Sequence, residues 1–328
     1  MLRFSRRATL ALSTLALPNL AAPGVARAQE AWPSRPVVMV VPWAAGGSND
    51  LVARLMAPHL AEKFGQSFVV ENRTGGGGTV GMGAVVRARP DGHTLLISSA
   101  SNHVFNQFVI TDQAWDPRQA LDGICMLNDV PNALAVSNKL GVNSVQELVA
   151  KALREPGLGF ASSGVGSSNH LAGELFRLLT KTDLTHVPYR GGGPATADLI
   201  SGIIPIAFLN LPTLLPPAEN QLFRILGVGS EERVAVRPDI PTIAEQGVPG
   251  YSVRSWTGLF APHGMARANI DRLSVACRDV LALPAVRRRL DDLASVTIWM
   301  APAETDAFIH AEFDKWGPIV RAAGVKRE

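Results

Sequence analysis

Two stretches of this chain carry the residue types and spacings best suited to chemistry, and both suit the capture of an anion. In the first, an apolar run of strand formers at residues 37–41 ends at Pro42. Trp43-Ala44-Ala45-Gly46-Gly47 then turns the chain, and Ser48-Asn49-Asp50 opens a helix. A strand that breaks through a small-residue loop into a helix N-terminus exposes backbone N–H groups beside the positive end of the helix dipole, which favours negative charge. The second stretch repeats the device about 120 residues later. A buried strand at 158–161 breaks into Ser162-Ser163-Gly164-Val165-Gly166-Ser167-Ser168-Asn169, and a helix begins near His170.

Other chemistries fit less well. Gly76-x-Gly78-x-x-Gly81 matches a dinucleotide fingerprint and sits between a strand and a helix, but the next strand runs into Ser98 and Ser99 with no acid to hold a ribose. A turn that lets backbone pack closely is the better account. There is no Gly-Lys-Ser/Thr phosphate loop and no G-x-S-x-G. Ser167 or Ser168 beside His170 leaves a serine hydrolase as the alternative, although an N-cap serine next to a histidine is common without catalysis. Asp50 has the pKa range of a general base, yet a carboxylate at a helix start more often caps or orders a loop. The seven histidines are scattered and no Cys-x-x-Cys exists, so neither a metal nor a cofactor is expected.

The elements that must position these loops alternate. Helical spacing covers residues 49–64, with Gly65 as terminator, and 80–87; strands fall at 68–70 and 94–98, and 98–103 reads as a polar loop. In the middle, 132–136 is a strand, Ser144 caps a helix over 145–153, and a helix follows over 170–180. Strands at 185–187, 204–209 and 223–228 surround a helix over 195–200 and the proline-rich 212–217. The last third holds an extended segment at 252–260, helices at 270–283 and after Pro284, and an amphipathic helix over 304–323. Alternation without two-residue hairpin turns predicts largely parallel sheets in two α/β lobes. Ligands of open α/β sheets sit beyond the carboxyl ends of the strands, so the two loops would share one ligand in a cleft.

The N-terminus reads as an export signal: Arg3, Arg6 and Arg7, a short apolar run interrupted by Pro18 and Asn19, and an Ala26-Arg27-Ala28 cleavage site. A membrane span needs about 20 apolar residues. Cleavage after Ala28 leaves 300 residues for the periplasm, by the Sec or the twin-arginine route. It also removes four arginines, so the 31 basic residues fall to 27 against 28 acids. A net charge near −1, and no basic patch beyond Arg287-Arg288-Arg289 with its neighbouring acids, argue against nucleic acid as a partner. Cys125 and Cys277 are expected as buried thiols; sequence does not say whether they meet.

These landmarks, taken in order, resemble the periplasmic solute-binding proteins of tripartite tricarboxylate transporters, the Bug family. Trp32-Pro33-Ser34-Arg35-Pro36 and the loop ending in Asp50 are similar to that family's first loop. Val70-Glu71-Asn72-Arg73 with its glycine run, Pro90-Asp91-Gly92-His93-Thr94, the stretch from Ala161 through Phe176, His186-Val187-Pro188-Tyr189-Arg190-Gly191 and Asp239-Ile240-Pro241-Thr242 match later ones. The resemblance implies an α/β two-lobe periplasmic-binding-protein fold (Venus flytrap, type II-like), with lobe 1 built from 29–128 and 252–328 and lobe 2 from 129–251. It implies a non-enzymatic monomer that binds a small mono- or dicarboxylate in the cleft and delivers it to transporter membrane subunits, or reports it to a sensor. The expected ligand-binding residues are Trp43, Ala45, Gly46, Ser48, Asn49, Asp50, Ser99, Ser163, Gly166, Ser167, Ser168 and Asn210. The chain departs from the family pattern at Ala44-Ala45, at Asn169 and over 101–115. Leu209 stands where an aspartate is common; if that position faces the cleft, recognition of an amino-bearing ligand is weakened.

Overall fold

The computed structural model describes residues 32–110 and 114–325; the export signal lies outside them. Val37–Val41 forms β1, Ser48–Phe64 α1, Phe68–Asn72 β2, Thr79–Val86 α2 and Thr94–Ser99 β3. The strand β1 is buried on both faces because helices cover both. Val37, Met39 and Val41 pack with Val52, Met56 and Leu60 of α1, while Val40 points the other way, toward Met82 and Val85 of α2. This is the two-residue period of a strand sandwiched between helix layers.

The stretch read as a polar loop is helical: a π-helical turn over Ser101–Phe105 runs into α3, Asn106–Val109. Its Asn and His side chains are buried and hydrogen-bonded rather than solvated. Next come α4 (Pro117–Ala120), β4 (Leu121–Ser137), α5 (Val145–Arg154), β5 (Leu158–Ser162), α6 (Ser168–Thr180) and β6 (Leu184–Pro188). Ser144 caps α5 as expected, accepting the Glu147 N–H at 3.1 Å. Then follow α7 (Gly192–Ser201), β7 (Ile206–Asn210), α8 (Leu211–Glu219), β8 (Phe223–Val228), β9 (Arg254–Pro262), α9 (Arg267–Leu281), α10 (Pro284–Asp292), β10 (Val296–Thr297) and α11 (Pro302–Ala323). The proline-rich segment is thus a helix. Pro212 falls in its first turn, where the missing N–H has no intrahelical partner to lose.

The strands form one curled mixed sheet in the order β2-β1-β3-β9-β4-β7-β5-β6, with β8 and β10 also on β4. The flanks are parallel, as predicted: β2, β1 and β3 at one end, β7, β5 and β6 at the other. The centre is not. Strand β9 runs antiparallel to β3 and β4, and β4 antiparallel to β7 and β8. Lack of tight turns excludes hairpins between successive strands, but not antiparallel neighbours distant in the chain. Only the last third of β4 was legible. Its 17 residues are almost all buried, yet Gly123, Asn128, Asp129 and Pro131 break the apolar pattern.

Cys125 on β4 and Cys277 on α9 are buried free thiols in one core cluster. Burial, with the neighbouring Cys277, pushes the Cys125 thiol well above its ordinary range, so the thiolate is suppressed.

His103 is fully buried against the Phe260 ring, centroids 4.3 Å apart, with Nδ1 3.1 Å from Ser98 Oγ. Burial drives its pKa down to about 3, against a weaker upward pull from Asp116. The unfolded chain therefore takes up a proton below about pH 6.5 that the folded chain refuses, and stability falls as pH drops from there toward 3. In urea titrations, His103 is expected to contribute a loss of up to about 1.4 kcal/mol per pH unit. A His103→Gln variant should show a correspondingly flatter profile between pH 6.5 and 5.

Candidate functional site

The first loop is held by a buried carboxylate. Asp50 is 1% exposed and accepts hydrogen bonds from Gly46 N–H, Arg54 Nε and Asn72 Nδ2, each at 2.9 Å. Asn72 also donates to the Trp43 carbonyl at 3.0 Å, tying β2 across the turn. Burial alone would raise the Asp50 pKa, but Arg54, the Gly46 N–H and Asn72 together lower it. Both oxygens are engaged, which makes Asp50 an ordering group for the loop. Asn49 is buried too and donates to Thr257 Oγ1 of β9 at 3.3 Å.

The helix start that Asp50 orders is left open. Gly47 provides no side-chain cap. Among the described residues, the N–H groups of Ser48 and Asn49 have no acceptor. The first turns of α1 and α8 both border a cavity of about 270 Å³, lined by Gly46, Gly47, Ser48, Leu51 and Val52 on one side and Asn128, Val130, Asn210, Pro212, Thr213, Leu293 and Ser295 on the other.

The second loop spends its donors differently. Ser167 caps α6, accepting the His170 N–H at 3.1 Å and donating to the Gly164 carbonyl at 2.7 Å. Gly164 N–H donates to Ser162 Oγ at 3.1 Å, and Gly166 N–H to His170 Nδ1 at 3.2 Å. Beneath lies a stacked pair, His170 on His186 at 3.6 Å. Burial first, and His170 second, bring the His186 pKa down to about 3, so His186 is neutral at ordinary pH. Ser167 and Ser168 have no imidazole partner: Ser168 Oγ instead meets Ser255 Oγ at 3.1 Å, and its N–H donates to Ser101 Oγ at 3.3 Å. These contacts bring the second loop against β9 and the π-helical turn.

Between the two loops lies a larger cavity of about 640 Å³, lined by Trp43, Gly77, Asn106, residues 163–167, Pro188, Tyr189 and Arg190. The structure thus brings Trp43, Ser163, Gly166 and Ser167 to this cavity, and Gly46, Ser48 and Asn210 to the smaller one. Ala45 lines neither. Ser99 is buried, with its N–H and hydroxyl both on Asn102 Oδ1. Asn132 on β4 links the starts of α6 and α8: its Nδ2 donates to Asn169 Oδ1 and to Asn210 Oδ1, the latter at 3.2 Å. Leu209 is fully buried in a core cluster, so the missing aspartate says nothing about amino-bearing ligands. Sequence reasoning missed Asn106 and Gly77, and quoted Tyr189-Arg190 without placing it at the site. The strand–turn–helix pattern around Pro188 is the signal that marks it.

Asp50→Ala leaves the Gly46 N–H and the Asn72 amide without their acceptor, while the half-exposed Arg54 can return to water. The expected loss is about 2–3 kcal/mol in urea unfolding at pH 7. Because the folded Asp50 pKa is depressed, this difference should persist above the unfolded carboxylate range and shrink as pH falls through the folded value.

Comparison with known proteins agrees with this architecture. The pattern of the tripartite tricarboxylate transporter family receptors matches residues 52–325. BugT of Bordetella pertussis is 33% identical over 299 residues, covering 90% of this chain and 92% of that protein. Rpa4515 of R. palustris, solved with adipate, is 33% identical with a TM-score of 0.82, over 90% of this chain and all of that one. MatC of Rhodopseudomonas palustris, solved with bound malate, is 31% identical with a TM-score of 0.78, over 88% of this chain and 100% of that one. The fold is the α/β two-lobe fold of periplasmic binding proteins, and the chain belongs to the tripartite tricarboxylate transporter receptor family.

Proposed function

We propose that this protein captures a small organic anion, a mono- or dicarboxylate, between its two loop–helix units in the periplasm, and hands it without chemical change to the membrane subunits of a tripartite transporter. The lobes in this reading are 29–128 with 252–328, and 129–251, the signal is removed after Ala28, and the receptor works as a monomer. Strand pairing supports the division: β4 pairs with β9 up to Pro131 and with β7 and β8 from Asn132 or Ala133 onward. The adipate and malate bound by Rpa4515 and MatC support a carboxylate as ligand.

The observation that carries the proposal is the open start of α1. Unpaired N–H groups and the positive dipole end face a cavity wall, with the loop already fixed by Asp50. One carboxylate group binds there, between the starts of α1 and α8, while the second loop walls the neighbouring larger cavity. Closure stabilises the liganded population and presents it to the transporter. Among the described residues, no helix is long and apolar enough to cross a membrane, so transport requires membrane partners.

A backbone donor survives most side-chain substitutions, but not proline. Ser48 is the first helical residue of α1, and Gly47 before it has φ −73° and ψ 165°, a conformation that a following proline accepts. Ser48→Pro therefore deletes one N–H while keeping the helix start. Calorimetry with adipate, malate and related acids should find a wild-type ligand whose affinity falls about 10- to 150-fold in Ser48→Pro, the loss of about 1.5–3 kcal/mol of a charged hydrogen bond. Ser48→Ala should lose less. Absence of binding to any small carboxylate, or equal affinity in Ser48→Pro, would reject the reading. Ester hydrolysis abolished by changing Ser167 or Ser168 would replace it with an enzyme.

A further inference from the structure

One buried side chain is connected to both cavities. Asn132 on β4 is 1% exposed, and its Nδ2 donates to Asn169 Oδ1 and to Asn210 Oδ1. Asn169, also buried, donates from its own Nδ2 to Ser163 Oγ at 2.9 Å. Ser163 lines the larger cavity and Asn210 the smaller one. Three amides and a hydroxyl thus run as one chain from wall to wall.

The direction of every bond in that chain follows from Asn132. An amide nitrogen has two hydrogens to give, and an amide oxygen has none. Asn132 spends both hydrogens and leaves only Oδ1 without a partner. Turned over, the same side chain would bury two N–H hydrogens with no acceptor, and orphaned buried donors are rarer than under-satisfied oxygens. Asn169 and Asn210 must then each turn an oxygen toward Asn132. Asn169 is left with its nitrogen toward Ser163, whose oxygen accepts and whose proton stays free. Among the described residues, neither the Ser163 hydroxyl hydrogen nor Asn210 Nδ2 has an acceptor. Each end of the chain therefore holds a hydrogen-bond donor at its cavity, which is what a ligand oxygen requires.

We propose that Asn132 is a positioning residue: itself out of a ligand's reach, it sets Ser163 and Asn210 as donors to the larger and the smaller cavity. The inference rests on the carboxylate-binding reading above. Asn132 acts only through the direction of the bonds it imposes, so a group at this position that accepts but cannot donate reverses the chain. Asn169 and Asn210 would then turn their nitrogens toward position 132. The Ser163 proton would go to Asn169 Oδ1, and Asn210 would present its oxygen to the smaller cavity. Both walls would change from donor to acceptor, and an anion would lose two partners.

The test is calorimetry on the purified full mature protein with adipate and with malate. It compares Asn132→Asp and Asn132→Ala, each made in the wild-type, Ser163→Ala and Asn210→Ala backgrounds. Asn132→Asp should weaken the tighter-binding acid about tenfold or more. Asn132→Ala, which frees both neighbouring amides without reversing them, should weaken it less. A negative charge at position 132 would by itself cost the same in every background. Action through the chain instead predicts that the Asn132→Asp loss shrinks by about threefold or more in at least one alanine background. Thermal unfolding reports folding, and should Asn132→Asp fail to fold, the Asn132→Ala cycle carries the same comparison. Equal losses in all three backgrounds, or no loss at all, overturn the positioning role while wild-type binding upholds the carboxylate reading. If neither acid binds the wild-type protein, the positioning role falls, and the wider series of small carboxylates decides whether the carboxylate reading falls with it.

Discussion

A strand shared between the two halves of the sheet constrains everything else in this molecule. β4 satisfies its backbone partly against β9 and partly against β7 and β8, so the two halves cannot separate without breaking a ladder that both need. Backbone groups in a buried strand have no alternative partner. The halves are therefore fixed to a common axis, and any relative movement has to be a bend about the crossing rather than a free displacement. The crossing is marked by Asp129 and Arg254, paired at 2.6 Å. Opposing loops at the strand ends follow from that axis, since parallel strands in each flank carry their loop–helix units to the sheet edge that faces the other flank.

The two loops look alike in sequence but differ in how their donors are used. In the second, the N–H groups of Gly164, Gly166, Ser167 and Ser168 are bonded to groups of the protein itself. In the first, Asp50 takes one N–H, from Gly46, and leaves the helix start open. The buried carboxylate of the first loop and the His170–His186 stack beneath the second thus serve the same end by different means. One fixes a loop around free donors; the other fixes a loop in which the N–H groups of Gly164, Gly166, Ser167 and Ser168 are already paired.

Much of this was legible from residue types alone. Strand–loop–helix punctuation located both loops, because glycine, serine and proline report backbone conformation directly. The apolar run located β1, helical spacing located α1, and their alternation predicted the parallel flanks. Legibility failed where polar side chains are buried. Asn102 and His103 read as loop residues but are satisfied inside a π-helical turn. The centre of β4 hid its length behind Asn128, Asp129 and Pro131. Periodicity measures hydrophobicity, and a buried polar residue with partners defeats it. The same blind spot covered the candidate site: Asn106 and Asn132 gain meaning only from their partners, which are far away in sequence.

That failure carries a physical lesson about recognition here. On the proposed reading, charge is met by backbone dipoles, which depend on the loop's shape and are indifferent to the rest of the ligand. Side chains can therefore vary without losing the carboxylate, and discrimination must come from neutral groups around it. On that reading, groups held in place by their other bonds, as Asn132 is by Asn169 and Asn210, suit the role, because a side chain already fixed loses little entropy when a ligand meets it.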